Sequence, residues 1–376
     1  MKSLILLEPV LAHYRKDLYE HYLNCSDFNF KIVGGKDYLG IQSLRDERFV
    51  VLNYRSFRLF SRRFYYLKGI LRYIFSYKPS IIICSGVDFH HYYTLILYFF
   101  YRIILRKEFY WWSHATFGNQ GKFGRWLRKL FYRSASGVFV YSRKGKENLL
   151  FMGIRGNKIQ VINNAINYED YGYLNRDIYK LRLQHETFTI LYSGRINREK
   201  KLDILIRAIE ILKTKNNFPL KCYIVGNGEI EPLKKLSNEL NISDFIEFTS
   251  AKYGNEIVPY FLRSDIFVYP GGIGLALLHA LSYGLPVITT NDYSLQMPEI
   301  ELLRPGENGD LYKDNSAEDL AGKILFWRNK IIESDKEIRK SCVGVIEELG
   351  YLPDKMGDAV INYLKKRYDM DEQKIQ

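Results

Sequence analysis

The chain has 376 residues, 47% of them hydrophobic and 26% charged, with 55 Lys plus Arg against 42 Asp plus Glu and a formal net charge of +13. That length exceeds a single small core and favours two domains, and the composition is that of a globular protein. The four cysteines, Cys25, Cys84, Cys222 and Cys342, form no CxxC pair and two sit in apolar runs (IIICSG, KCYIVG), so they read as reduced core thiols of a cytosolic protein rather than a zinc site or disulfide framework.

The opening MKSLILLEPV carries an apolar run too short for the hydrophobic region of a secretory signal, so it reads as a first strand and no export is expected. Further strands are expected near FNFKIVGG, FVVLNY, SIIICSG, EFYWW, GVFVYS and KIQVIN, separated by helices. The longest apolar stretch, Tyr92 to Leu105, falls short of the ~20 residues that span a bilayer and contains Arg102, so it reads as a helix of the domain or of a membrane-facing surface. A polar stretch, Asn163 to Glu186, interrupts the alternation and reads as an interdomain linker. Strands then resume at TFTILYSG, LKCYIVG, FIEFTS and DIFVYP, alternating with helices such as LDILIRAIEILKTK and EPLKKLSNEL, before the segment GLALLHALSYGLPVIT. After about residue 316 the chain reads as helical, and the apolar stripe of DKMGDAVINYLKKRY must pack on something.

Strands alternating with helices are the pattern of parallel sheets covered on both faces. The expected fold is therefore α/β, two Rossmann-like doubly wound parallel-sheet domains. These are a first domain over 1–165, a linker over 166–186, a second domain over 187–345, and closing helices over 346–376 whose last member packs back towards the first domain. Two such domains facing each other offer a cleft at the carboxyl ends of both sheets.

Charge is unevenly placed. Residues 1–165 hold 27 Lys plus Arg against 10 Asp plus Glu, a balance of +17, and the remaining residues hold 28 against 32, or −4. Within 51–150 the counts are 18 and 3, and basic residues are interleaved with aromatics in YRSFRLFSRRFYYLKGILRYIF and KFGRWLRKLFYR. Such a surface suits anionic phospholipid headgroups, each basic residue contributing about 1 kcal/mol near the membrane. The plain alternative is that the aromatics are partly core and the basic residues a solvated face. No nucleic-acid module accompanies the basic residues, so nucleic acid is not expected as a partner.

The second domain's opening turn is SGRINREKK, Ser193 to Lys201. Glycine lets a ligand approach the backbone, Arg offers a planar fork to phosphate oxygens and Lys a mobile point charge. Two cations at a strand's carboxyl end make a diphosphate site; a solvated turn with incidental charges is the other reading. Strand, Gly-Arg, four residues, then Lys resembles the donor-diphosphate element of retaining glycosyltransferase family four, the glycosyl transferases group 1 of GT-B fold. IQVINNAIN, IVGNGE and GLALLHALSYGLPVIT resemble further elements of that family in order, over most of residues 155–325.

The resemblance implies roles residue by residue. Arg195 and Lys200 would hold the donor's diphosphate, with Gly194 and Gly226 at the adjoining turns. Many members carry two glutamates eight positions apart after the DIFVYP-like strand, and those positions are Gly271 and His279 here. The run Gly271, Gly272, Ile273, Gly274 still opens a helix whose N–H groups can receive donor oxygens. His279 reads as a ribose contact or as a helix-buried structural histidine. Glu299, in PEIE, reads as the carboxylate that Gly271 cannot supply or as a surface salt-bridge residue. In the first domain, His114 resembles a family histidine near the donor sugar, and His13 and Arg15 resemble the acceptor-side loop. Asp88, His90 and His91 share a loop, but adjacent side chains rarely converge on one ion, so no metal site is expected.

Together these imply a metal-independent retaining glycosyltransferase with catalytic His114, Arg195 and Lys200, requiring no cofactor beyond a UDP- or GDP-linked sugar that is its substrate. Its acceptor would be a lipid-linked saccharide in cell-surface polysaccharide synthesis, and its place the anionic inner face of the cell membrane, as a peripheral cytoplasmic protein. The other classes open at this point are a nucleotide-sugar epimerase or hydrolase, and a non-catalytic sugar-nucleotide or membrane-binding protein of the same fold.

Overall fold

The computed structural model describes residues 1–36, 43–59, 62–86, 90–115, 121–167, 186–215 and 218–372. It divides into two compact units, one of Met1–Asn167 with Tyr351–Gln376, the other of Tyr168–Gly350. Most of the expected linker, and Asp88, lie outside the described residues.

The first unit is built on β1 (Lys2–Glu8), β2 (Phe28–Gly35), β3 (Val50–Leu52), a ribbon of β4 (Tyr54–Leu59) and β5 (Arg62–Leu67), then β6 (Ile81–Ser85), β7 (Glu108–Ser113), β8 (Gly137–Val140) and β9 (Ile159–Val161). Seven of these strands form one parallel sheet in the order β3-β2-β1-β6-β7-β8-β9. Its central strands are apolar throughout because both faces are covered. Leu4 and Leu6 point to one face, with Leu18, Tyr19 and Tyr22 of α1 (Lys16–Leu23) and Met356, Val360 and Leu364 of the last helix. Ile5 and Leu7 point to the other. That face is covered by α2 (Ile70–Tyr77), by α3 (Tyr92–Tyr98) running into a π-helical turn Phe99–Ile104, by α4 (Lys122–Ser134) and by α5 (Arg143–Phe151). Much of the aromatic content is core: Tyr19, Tyr22, Tyr101, Tyr110, Tyr132, Trp111 and Trp112 are fully buried.

The ribbon departs from the expected strand–helix alternation. Tyr54–Leu59 and Arg62–Leu67 read as a basic, aromatic stretch and form an antiparallel pair. In the antiparallel register Phe57 pairs with Phe64, their rings stacked 5.5 Å apart across the ribbon.

The second unit contains β10 (Phe188–Ser193), α6 (Leu202–Lys215), β11 (Leu220–Val225), α7 (Glu231–Glu239), β12 (Ile246–Thr249), α8 (Val258–Leu262), β13 (Ile266–Tyr269), α9 (Leu275–Ser282), β14 (Val287–Thr290), β15 (Gly309–Tyr312) and α10 (Ala317–Leu349). Its strands are parallel in the order β12-β11-β10-β13-β14-β15. Counted from β10 this is 3-2-1-4-5-6, the doubly wound order whose ligand crevice opens where the winding reverses, here between β10 and β13. The sixth strand, β15, is four residues long and carries too little apolar sequence to announce itself. The final helix, α11 (Pro353–Glu372), returns to the first unit, where Gly357 sits against His21 of α1.

Candidate functional site

The reversal between β10 and β13 places a crevice beyond Ser193 and Tyr269. Three turns press together there. A Cβ on Gly226 would stand 1.9 Å from the carbonyl oxygen of Gly194, and one on Gly271 would stand 2.3 Å from that of Glu199 and 2.9 Å from the Cα of Lys200. Only glycine lets the turn after β10 lie between the turns after β11 and β13.

The cations of that turn divide by partner. Lys201, in the left-handed conformation at φ 52°, gives its ammonium to both carboxylate oxygens of Asp314 at 2.6 Å. Burial pushes the Asp314 carboxyl up, but the Lys201 hydrogen bond, with Thr290 second, outweighs this and leaves it below the ordinary carboxylate value. Lys200 instead reaches across to the glycine run, its Nζ donating to the Gly272 carbonyl at 3.0 Å and lying 5.0 Å from the Tyr269 ring centroid. Arg195 is exposed, and no described residue hydrogen-bonds its guanidinium; its backbone carbonyl accepts from Tyr192 Oη at 2.6 Å, and Tyr192 stacks on Tyr269. Lys201 is thus held in an ion pair, whereas Arg195 and Lys200 meet no carboxylate among the described residues.

The glycine run is held from below. Thr289 Oγ1 donates to the Gly271 carbonyl, Gln296 Oε1 accepts from the Ile273 N–H at 2.9 Å, and the Met297 N–H donates to the Ile273 carbonyl. This corrects the expectation for Ile273: its side chain is fully buried and its N–H is spent on Gln296, so it shapes the run rather than binding donor oxygens. No described group accepts from the N–H of Gly272 or Gly274. Glu299 follows the same segment and is 2% exposed, so the surface salt-bridge reading fails; its Oε2 lies 3.7 Å from where a Gly274 Cβ would sit. His279 packs its ring 4.4 Å from Phe261 and 5.5 Å from Tyr283. Burial pushes its pKa down to about 3, so the imidazole is neutral at physiological pH. A separate concavity of about 440 Å³ beside the turn is lined by Asn197, Arg198, Asp203 and Glu229 but by neither Arg195 nor Lys200. Arg195 and Lys200 thus lie at the winding reversal and outside this concavity.

In the first unit the carboxyl ends of β1, β7 and β8 carry a second cluster. Arg15 is buried, with Nη1 donating to both Glu8 oxygens at 2.7 and 3.0 Å and Nη2 to Tyr141 Oη at 2.8 Å and Asn164 Oδ1 at 3.4 Å. Arg15, expected on the acceptor side, thus commits Nη1 to the Glu8 carboxylate and Nη2 to Tyr141 and Asn164. His114 lies against Tyr141, ring centroids 4.5 Å apart, with part of its surface open to solvent. Desolvation first, and the Arg15 charge second, hold its pKa below the ordinary histidine value. The next residue, Ala115, is buried at φ 51°, a left-handed conformation that non-glycine residues adopt at a cost. His13 is partly buried and edge-on to Tyr14. Glu8 and Tyr141, which join these strand ends, carry no sequence motif and are marked only by their positions, while Asn164 lies in the IQVINNAIN segment.

His90 and His91 pack beneath the ribbon. His91 is buried and stacked on Tyr65 at 5.7 Å, and His90 Nδ1 lies 3.0 Å from the Arg63 carbonyl. Among the described residues no three His, Cys, Asp or Glu side chains gather as metal ligands. On the helices covering the same sheet, Phe99, Phe100, Ile103, Ile104 and Leu105 of the π-helical region and Phe123, Trp126 and Leu130 of α4 are exposed. The two groups adjoin, since Arg102 Nε donates to the Ser134 carbonyl at 2.8 Å. Between Arg62 and Lys146 the sequence has only two acids, Asp88 and Glu108. No helix among the described residues is long and apolar enough to cross a membrane.

Comparison with known proteins gives two family matches, glycosyl transferases group 1 over residues 175–342 and glycosyltransferase family 4 over residues 33–170. The chain is 28% identical over 197 residues to the amylovoran biosynthesis glycosyltransferase AmsK of Erwinia amylovora, covering 49% of this chain and 45% of that protein. It is 24% identical over 231 residues to the capsular polysaccharide biosynthesis glycosyltransferase CapM of Staphylococcus aureus, covering 57% of each. The chain spans about half the length of the curated relatives it matches. Among solved structures, Anabaena HepE in complex with UDP superposes with a TM-score of 0.70 at 16% identity, over 97% of this chain and all of that one, a likeness of fold.

Proposed function

The chain belongs to the glycosyl transferases group 1 family, and from that membership and the geometry between β10 and β13 we propose that it is a retaining glycosyltransferase using a UDP- or GDP-linked sugar. The observation that carries the reading is that Lys200 Nζ reaches the Gly272 carbonyl where the winding reverses, with exposed Arg195 on the same turn and no described acceptor on the N–H groups of Gly272 and Gly274. A nucleotide sugar reacts when the charge building on its departing diphosphate is stabilised, so the main task is electrostatic preorganisation; one such donor contributes about 10²–10³ in rate. Arg195 supplies a planar fork and Lys200 a point charge, and neither needs a metal as intermediary. The acceptor hydroxyl attacks on the face the diphosphate leaves, and the departing phosphate oxygen takes its proton, which retains configuration without a protein nucleophile. Glu299, beside Gly274, is suited to sugar or ribose hydroxyls in place of the glutamates absent at Gly271 and His279, and neutral His279 to a ribose hydroxyl. His114 serves near the donor sugar, as the resemblance implies, and His13 on the acceptor side.

The acceptor in this reading is a lipid-linked saccharide of a cell-surface polysaccharide, and the protein sits peripherally on the inner face of the membrane. The exposed apolar residues of the π-helical region and α4, in an almost acid-free stretch, support the second part; the polysaccharide-synthesis names of AmsK and CapM support the first. A thermal-shift panel of UDP, GDP and ADP and their sugar derivatives tests the donor site. One base series should raise the melting temperature and Arg195→Ala should remove that rise; no stabilisation by any compound overturns the reading.

A further inference from the structure

The ribbon β4–β5 sets two arginines against each other. Arg58 stands directly opposite Arg63 on one face, while Arg55 and Arg62 occupy the other. All four are exposed, and no described carboxylate pairs with any of them. Like charges directly opposite destabilise an antiparallel pair, and a two-stranded ribbon is marginal to begin with. The sequence retains this repulsion in an element that has to be held in place by other means.

Those means locate the ribbon. Tyr54 Oη donates to the Pro9 carbonyl, the Tyr65 N–H donates to the His90 carbonyl at 2.8 Å, and the Tyr54 and Tyr65 rings pack 6.0 and 5.7 Å from His91. Pro9 follows β1 and His90 follows β6, the two strands between which the first sheet's winding reverses. The ribbon is therefore fastened where a crevice opens at that sheet's carboxyl end. Arg58 and Arg63 share the face of Tyr54 and Tyr65, further from the fastened base. On the opposite face Phe57 and Leu59 are 45% and 52% exposed.

We propose that this ribbon is a phosphate clamp for the acceptor lipid: Arg58 and Arg63 close on the diphosphate of a polyprenyl-type carrier while Phe57 and Leu59 meet its hydrocarbon. A dianion between the two guanidinium groups turns a repulsive pair into a bridged one, and each planar fork takes two phosphate oxygens. A bilayer headgroup layer is the less fitting occupant, because the wide apolar, basic surface suited to it lies on the π-helical region and α4, whereas the ribbon is one narrow cation pair at the crevice. The proposal rests on the lipid-linked acceptor reading above and adds the residues that would recognise the lipid.

The test is flotation of the full chain with phosphatidylcholine vesicles carrying either a polyprenyl diphosphate or phosphatidylglycerol at matched charge. The wild type should favour the diphosphate vesicles, and Arg58→Gln with Arg63→Gln should lose about thirtyfold of that affinity, from two phosphate contacts of about 1 kcal/mol each, with little change on phosphatidylglycerol. Arg58→Glu should bind diphosphate vesicles no better than neutral ones, yet melt no lower than wild type, because it exchanges a repulsive cross-strand pair for an attractive one. Equal wild-type binding to both vesicles at matched charge, or unchanged diphosphate binding in either variant, overturns the clamp. Nucleotide-induced stabilisation is read on the same samples: its absence in the wild type speaks against the glycosyltransferase reading, its retention alongside failed lipid discrimination against the clamp alone.

Discussion

The two carboxyl-end clusters are built in opposite ways. In the second unit the site is made of backbone: glycines at 226 and 271 let three turns interpenetrate, and Arg195 and Lys200 have no acidic partner among the described residues. In the first unit the cluster is made of side chains from several strand ends, the Glu8–Arg15 pair of β1 with His114, Tyr141 and Asn164, and its two charges meet each other. A site that keeps its cations open is arranged to receive an anion, whereas one that closes its ion pair spends it on holding other groups in place.

Substitutions separate the two modes. The largest effect expected is on stability, from Arg15→Ala: it leaves Glu8 buried without its cation, a loss of about 3–5 kcal/mol in chemical denaturation, while nucleotide affinity of the folded fraction stays as it was. If Arg15→Ala left stability intact and changed only turnover, the contrast would break. Next comes Arg195→Ala, which should leave the melting temperature of the free protein unchanged but lower turnover of the preferred nucleotide sugar by about 10²–10³. Lys201→Ala sharpens the distinction within one turn. Its ion pair with Asp314 is partly exposed, so stability should fall by about 1 kcal/mol or less, and donor binding should change far less than for Lys200→Ala.

A pH dependence tests the burial in the second unit separately. The pKa of His279 in the folded state, about 3, lies below its unfolded value of about 6.5, so the unfolded chain takes up a proton that the folded chain refuses. Stability is therefore fully present above about pH 6.5 and declines as the pH falls towards 3. His279→Gln should flatten that decline in denaturation curves measured between pH 7 and pH 4, and an unaltered pH profile would show that the ring is not buried as described.

The same contrast explains what was legible in the sequence. Apolar strands ending in turn residues, such as SLILLE and TFTILYSG, fixed both parallel sheets, because a strand covered on both faces needs a continuous hydrophobic run. The turn from Gly194 to Lys200 was legible because backbone proximity leaves a glycine and charge pattern in consecutive residues. Side-chain networks leave no such pattern: nothing in the residue types tells that Arg15 turns back onto Glu8, or that Lys201 rather than Lys200 meets Asp314, which comes from another strand end. The Ile273 N–H was misread for the same reason, its acceptor Gln296 lying beyond the next strand. The ribbon escaped notice because its arginines masked the alternation of Tyr54, Ser56 and Arg58 with Arg55, Phe57 and Leu59.

The central claim is that Arg195 and Lys200 bind a diphosphate, and the most direct measurement is calorimetric affinity for a nucleoside diphosphate against its monophosphate. With the preferred base, the wild type should bind the diphosphate at least about tenfold more tightly, and Arg195→Ala should bring the two affinities together. Equal affinities in the wild type, or a preference that survives in Arg195→Ala, would contradict the account.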